Sequence, residues 1–272
     1  MIVIFTDLDG TLLDAESYSA DAARPSIERL RDLGIPLIFC SSKTRAEIEW
    51  WRGHLENDAP FIAENGGALF VPAAYFRGPI ISPIRRDGYA VIEFGVPYTQ
   101  LVETLDAAAS ETGCRVLGFH DMDVSKVASR CEIPMWMAEL AKRREYDEPF
   151  EILQGDRDSL LRAIIGRKKR WTQGGRFYHL TGANDKAHAV QLLAHYFERH
   201  GDGVTTVGIG DALNDTGFLR AVHIPIILPS PHAEALGRAV PHARLARENG
   251  PAGWNSAVLE LLETACPAAG RK

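Results

Sequence analysis

The residues best suited to chemistry lie at the start of the chain. In FTDLDGTLL, residues 5–13, Asp7 and Asp9 directly follow the apolar run that begins at Ile2. Ligands of open α/β sheets bind beyond the carboxyl ends of the strands, so carboxylates at a strand end are placed to meet one. Alternate strand residues face opposite ways. A strand that stops at Asp7 and turns through Gly10 can nevertheless present both carboxylates to one side. One can then attack while the other handles protons.

An isolated D-x-D is as readily an acidic turn capping a strand, and it is the rest of the chain that argues for chemistry. A second acidic pair lies in GIGDALND, residues 208–215, where Asp211 ends another apolar run and Asp215 follows at a helix start. Ser41 ends a further strand-like run, and Lys186 opens an amphipathic helix. Three carboxylates converging with a lysine and a hydroxyl make a site for a phosphoryl group and a hard cation. Oxygen ligands suit Mg²⁺, while the lysine and serine meet phosphate oxygens. Without the cation the carboxylates would repel the phosphate.

These groups need a scaffold, and the hydrophobic pattern supplies one. Short apolar runs alternate with amphipathic stretches at both ends of the chain, as in strand–helix–strand units around a parallel sheet. Strands are predicted over 2–6 and 36–40 and at 61–62, with helices over 25–33 and 44–51; Gly34 stops the first helix. After the third unit the character changes. The segments 88–95 (GYAVIEFG) and 115–119 (RVLGF) flank an amphipathic helix around Leu101–Ala109, and a helix around Ser159–Ile165 precedes the strand-like RFYHL at 176–180. From Asp185 the helix–strand rhythm returns, with strands at 204–210 and 224–229. The reading is α/β: a parallel-sheet core, residues 1–82 and 179–272, interrupted by a small α+β domain at 83–178.

With 46% hydrophobic residues in 272, the chain can bury a sizeable core and a smaller second one. Acidic residues outnumber basic ones, 36 to 30, for a formal charge of −6, so no basic field exists to hold nucleic acid or an anionic membrane. A small soluble partner is expected. Cys40, Cys114, Cys131 and Cys266 show no C-x-x-C spacing, which argues against a zinc knuckle or a disulfide framework and for a reducing cytoplasm. The start MIVIFTDLDG lacks a basic n-region, and no apolar run reaches membrane-spanning length. Nine histidines form no zinc spacing. Trp50, Trp51 and Trp136 are read as packing surfaces.

The ordered set D-x-D-G-T, a strand-ending Ser or Thr, a Lys, then G-D-x-x-N-D resembles the haloacid dehalogenase-like phosphatase superfamily. The resemblance implies a Rossmann-like core for the parallel sheet, and that Asp7 attacks phosphorus and becomes an aspartyl phosphate, with Asp9 as general acid and base and Thr11 in support. It implies Mg²⁺ held by the Asp7 carboxylate, the Asp9 backbone carbonyl and Asp211. Ser41, Lys186 and Asn214 would orient phosphoryl oxygens, and Asp215 would steady Lys186 or a water on the metal. The insertion after the third strand would be a type C2 cap that selects the substrate.

Further strings resemble the mannosyl-3-phosphoglycerate phosphatase family: CSSKT at 40–44, IAENGG at 62–67, KRREYDEPF at 142–150, GGRFYHL at 174–180 and RENGPAGWN at 247–255. The implied substrate carries a phosphate, a carboxylate and a sugar, and the product is a compatible solute. Candidate contacts to that small phosphorylated sugar-glycerate are Lys43, the turn Glu64, Asn65, Gly66 and Gly67, and the cap residues Arg143, Arg144, Arg176 and His179. The alternatives are the phosphatase of glucosyl-3-phosphoglycerate or of another sugar phosphate, a phosphomutase, and a non-catalytic phosphate-binding module.

Overall fold

The computed structural model describes residues 1–81, 83–174, 177–200 and 203–265. The chain divides into two compact units, one of Met1–Ser41 and Val190–Lys272, the other of Ser42–Ala189.

The first unit is built on five parallel strands in the order Arg244–Leu245, Ile224–Ile227, Thr205–Gly210, Ile2–Thr6, Leu37–Cys40. Parallel strands covered on both faces read as continuous apolar runs. Val3, Ile4 and Phe5, like Ile38 and Phe39, are fully buried. Helices Arg24–Asp32, Thr216–Arg220, Ala233–Ala239 and Gly250–Ala265 complete the unit, together with most of Lys186–His200. Pro25 stands in the first turn of Arg24–Asp32, where a missing N–H costs nothing. Gly34 follows that helix in the left-handed region, φ 62°.

The second unit holds two antiparallel arrays. Phe61–Ala63, Ala68–Pro72, Tyr89–Glu93 and Ile84–Arg86 pair in that order, and so do Arg115–Gly118, Asp147–Gln154, Phe177–Thr181 and Arg170–Gly174. The strand predicted within 88–95 thus joins Ala68–Pro72 rather than the array that carries 115–119. On the second array, Leu101 and Leu105 of helix Tyr98–Thr112 meet Leu160, Leu161 and Ile164 of Arg157–Gly166 over Phe150 and Leu180. Helices Val124–Cys131 and Met135–Ala141, which lack a long apolar period, enclose a smaller cluster around Phe119 and Met122.

Of the three tryptophans read as packing surfaces, only Trp51 enters the core. Trp50 and Trp136 stay 37% and 41% exposed and pack on each other with ring centroids 4.5 Å apart. Cys40 and Cys114 are buried, Cys131 is half-buried, and Cys266 lies outside the described residues. Among the described residues no helix is long and apolar enough to cross a membrane.

Candidate active site

In the first unit the strand order reverses at Ile2–Thr6. One neighbour, Leu37–Cys40, comes next in the chain, whereas the other, Thr205–Gly210, arrives from far downstream. Connections leaving such a point in opposite directions open a crevice beyond the carboxyl ends of the two strands. Thr6 pairs level with Ile209, and the Asp7 N–H donates to the Ile209 carbonyl at 2.9 Å, so the two strands end side by side. Asp7 follows one and Asp211 the other.

Asp7, Asp211 and Asp215 each offer a carboxylate oxygen, all within 4.8 Å of one another. Two unit charges about 4 Å apart repel by ~4 kcal/mol at an effective dielectric near 20, so three ionised carboxylates need a counter-charge. Asp215 is fully buried and Asp7 nearly so, which limits screening by water. Three hard oxygen donors fit a hard cation. The cluster contains Asp215, expected in a supporting role, and not the Asp9 carboxylate, whose expected contribution was its backbone carbonyl. Asp9 and Asn214 are half-buried, and Ser41 is fully buried just past its strand.

The turn after Asp9 positions Asp211. Gly10 has φ 74°, and a Cβ there would meet Asp211 Oδ2 at 2.8 Å, so a side chain would collide with the carboxylate. The Thr11 hydroxyl donates to Asp211 Oδ1 at 2.6 Å. On the other side, Asp215 Oδ2 accepts the N–H groups of Asp211 (3.1 Å) and Ala212 (3.0 Å), and the Ser230 hydroxyl donates to the Asp211 carbonyl at 2.6 Å. Asp215 thus both shapes the Asp211 turn and stands in the cluster.

The ENGG turn lies in the second unit. Glu64, Asn65 and Gly66 all adopt positive φ, 48°, 55° and 83°. Left-handed backbone costs a non-glycine residue ~1–2 kcal/mol, so something must hold it. The Glu64 carboxylate accepts from the backbone N–H of Glu145 (2.9 Å) and of Tyr146 (2.7 Å), and the Asn65 amide donates to Asp147 Oδ2 at 2.8 Å. Burial pushes the Glu64 carboxyl up to about 8, against the pull of Arg144 and of those N–H groups. The glycines admit close approach, here by the chain itself. A Cβ on Gly66 would stand 2.2 Å from the Asp185 carbonyl oxygen and 2.8 Å from the Lys186 nitrogen, and one on Gly67 2.4 Å from the Tyr146 Cβ. Lys186, only 2% exposed, opens its helix against this turn.

Asp147 gathers the remaining polar groups. His179 Nδ1 lies 3.0 Å from both its carboxylate oxygens, and the carboxylate is fully buried. Burial alone would raise the Asp147 carboxyl; His179, Arg144 and Asn65 outweigh it and hold it below its ordinary value. The Arg144 guanidinium donates to the Ser42 and Ala141 carbonyls. Burial disfavours its charge, but Asp147, Glu64 and Glu47 together keep it protonated. Lys43 is buried with its Nζ 3.5 Å from Glu47 Oε1. Arg143 is exposed, and Arg176 lies outside the described residues.

Sequence reasoning passed over Asp147, Ser230 and Thr6. Asp147 stands inside the quoted KRREYDEPF, where the arginines drew attention because cations suit an anionic ligand. Ser230 and Thr6 carried no local signal, because the partner of each, the Asp211 carbonyl for Ser230 and the Trp254 indole for Thr6, is brought up only by folding.

A family profile described as haloacid dehalogenase-like hydrolase matches residues 4–75. A haloacid dehalogenase-like hydrolase from Bacteroides thetaiotaomicron shares the fold at a TM-score of 0.65, with 18% identity over 95% of this chain and 98% of that one. A protein of Methanococcoides burtonii named glucosyl-3-phosphoglycerate/mannosyl-3-phosphoglycerate phosphatase is 40% identical across 96% of this chain and 97% of its own length. The mannosyl-3-phosphoglycerate phosphatase of Pyrococcus horikoshii is 34% identical across 84% of this chain and 90% of its own. The chain belongs to this phosphatase family of the haloacid dehalogenase-like hydrolases.

Proposed function

We propose that the protein hydrolyses mannosyl-3-phosphoglycerate to mannosylglycerate and phosphate, with Asp7 as nucleophile. The observation that carries the chemistry is the convergence of Asp7, Asp211 and Asp215 at the switch point of a parallel sheet. The substrate rests on the names of the relatives in Methanococcoides burtonii and Pyrococcus horikoshii.

Asp7 attacks phosphorus in line, the P–O bond to the glycerate oxygen breaks, and Asp9 protonates that oxygen as it leaves. Asp9 then takes a proton from the water that hydrolyses the aspartyl phosphate, which frees Asp7 as a carboxylate and returns Asp9 to its protonated form. Asp7 and Asp211, with the Asp9 carbonyl, would hold Mg²⁺, and Asp215 belongs to the same cluster. When bound, the ion neutralises phosphoryl charge that the carboxylates would otherwise repel. Ser41, Lys186 and Asn214 serve the phosphoryl oxygens. Residues 83–178 form the cap that selects among esters, with Arg143, Arg144, Arg176 and His179 as its candidate contacts. Lys43 and the 64–67 turn act beside them, and the turn's role includes fixing the start of the Lys186 helix. A reducing cytoplasm suits cysteines that show no C-x-x-C spacing.

The name of the Methanococcoides burtonii relative couples the glucosyl and mannosyl compounds, so glucosyl-3-phosphoglycerate is the second reading. The two sugars differ in the orientation of one hydroxyl, and only a hydrogen bond to it rejects the epimer strongly. The test is phosphate release with Mg²⁺ from both compounds, from mannose 6-phosphate and from free 3-phosphoglycerate, with Asp7→Asn as blank. A kcat/KM for the mannosyl compound about tenfold above the rest, ~1.4 kcal/mol of transition-state binding, is the expected result. Equal turnover of the other esters would discard the named substrate, and full activity of Asp7→Asn would discard the mechanism.

A further inference from the structure

The G-P-x-G-W-N stretch is distant in sequence from every residue given a role above, yet it reaches the base of the nucleophile. Trp254 is fully buried, and its indole Nε1 donates to the Thr6 hydroxyl oxygen at 2.9 Å. The Thr6 hydroxyl, itself fully buried, donates to the Asp7 carbonyl at 2.8 Å. The Asp7 N–H is held by the Ile209 carbonyl at 2.9 Å. Both polar groups of the Asp7 peptide backbone are therefore tied.

The chemistry of a hydroxyl gives this chain a direction. It has one proton and two lone pairs. With the indole N–H donating to the oxygen, the lone proton is left to point at the Asp7 carbonyl. That carbonyl lies just past the last residue of the strand. Trp254, in turn, is delivered by a glycine: a Cβ on Gly253 would stand 1.8 Å from the Glu248 carbonyl oxygen, so no other residue lets the first turn of helix Gly250–Ala265 lie so close to the chain before it. The next residue makes a separate tie, with Asn255 Oδ1 accepting the Ser26 N–H at 3.0 Å.

We infer that Trp254 and Thr6 are positioning residues for Asp7: the indole sets the Thr6 rotamer, the hydroxyl fixes the Asp7 carbonyl, and the carboxylate keeps its line of attack. The inference rests on Asp7 being the nucleophile. Neither residue touches the substrate, so their loss should lower kcat and leave KM in place.

The experiment is a double-mutant cycle with Thr6→Val and Trp254→Phe, using mannosyl-3-phosphoglycerate and p-nitrophenyl phosphate with Mg²⁺, alongside thermal unfolding. Beryllofluoride capture, a mimic of the acyl phosphate, is followed by ¹⁹F NMR. Each single variant should lose about tenfold in kcat, the value of one orienting hydrogen bond, with KM within about twofold. The double variant should lose no more than Thr6→Val alone, since the indole acts only through the hydroxyl. Thr6→Ser should restore kcat, and beryllofluoride capture should weaken in step with it. Asn255→Ala, which cuts the neighbouring tie, should lower the melting temperature and spare kcat. Wild-type kcat in a folded Thr6→Val, or losses that multiply in the double variant, would overturn the relay while an inactive Asp7→Asn leaves the nucleophile standing. Activity in Asp7→Asn would remove the basis of both. Should Trp254→Phe not fold, the Thr6→Val and Thr6→Ser pair decides alone.

Discussion

Gly66 and Gly113 are both left-handed glycines of the second unit, φ 83° and 64°, and replacing each by alanine separates backbone strain from close approach. Around Gly113, which ends helix Tyr98–Thr112, a Cβ would meet nothing within 4 Å. Gly113→Ala should therefore cost only the left-handed penalty, ~1–2 kcal/mol, with catalysis unchanged. Gly66→Ala carries the same penalty and a collision. To restore an ordinary 3.4 Å contact, the Asp185 carbonyl, 2.2 Å from the new Cβ, must retreat by about 1.2 Å, and Lys186 is the next residue. A misplacement of about 1 Å at a group that orients the reacting phosphoryl costs on the order of 100-fold. Phosphate release and thermal melting on both purified variants make the comparison. The expected result is a shared loss of stability, with a kcat about 100-fold lower in Gly66→Ala alone. A Gly66→Ala enzyme with the kcat of Gly113→Ala would refute the claim that this turn sets Lys186.

Asp7→Asn should abolish turnover by at least about 1,000-fold, with an unchanged melting temperature or a raised one, because a repelling charge leaves the cluster. Chelation of divalent ions should silence the wild type, and Asp211→Asn should raise the Mg²⁺ concentration needed for half-activity; calorimetric titration of the ion would show the same weakening. Thr11→Val should mimic a mild form of Asp211→Asn, since it removes the 2.6 Å hydrogen bond that orients that carboxylate. Glu64 gives the pH dependence. Its carboxyl is raised from an ordinary 4.5 to about 8, so the folded chain holds a proton the unfolded chain has lost. Stability should fall as pH rises between those values, by ~1.4 kcal/mol per pH unit at most, and level off above pH about 8. Denaturant melts of Glu64→Gln should lack that fall, and an identical pH slope in the variant would show that Glu64 does not carry it.

The amino-acid sequence by itself marked the apolar strands of the parallel unit and where they end. Buried parallel strands must be apolar throughout, so the runs before Asp7, Ser41 and Asp211 stand out, and the polar residue that ends each run marks the sheet edge. Helix ends were legible for the same local reason, as at Gly34. The D-x-D-G-T pair, Lys186 at a helix start and the glycines of ENGG could be singled out because their signals are local.

Tertiary structure decided what each of them meets. That Asp215 enters the carboxylate cluster depends on a turn held by its own Oδ2. That the ENGG glycines receive Asp185 and Tyr146 depends on segments that lie 119 residues from Gly66 and 79 from Gly67. Short edge elements such as Ile84–Arg86 and Arg170–Gly174 carry too little apolar pattern to be paired from sequence, and strand 89–93 found its partner through register with Ala68–Pro72. The link from Trp254 to Thr6 spans 248 residues. A hydrogen bond of that range leaves no periodicity in the chain. It exists because the sheet and the last helix bring the two side chains together in a place from which water is excluded.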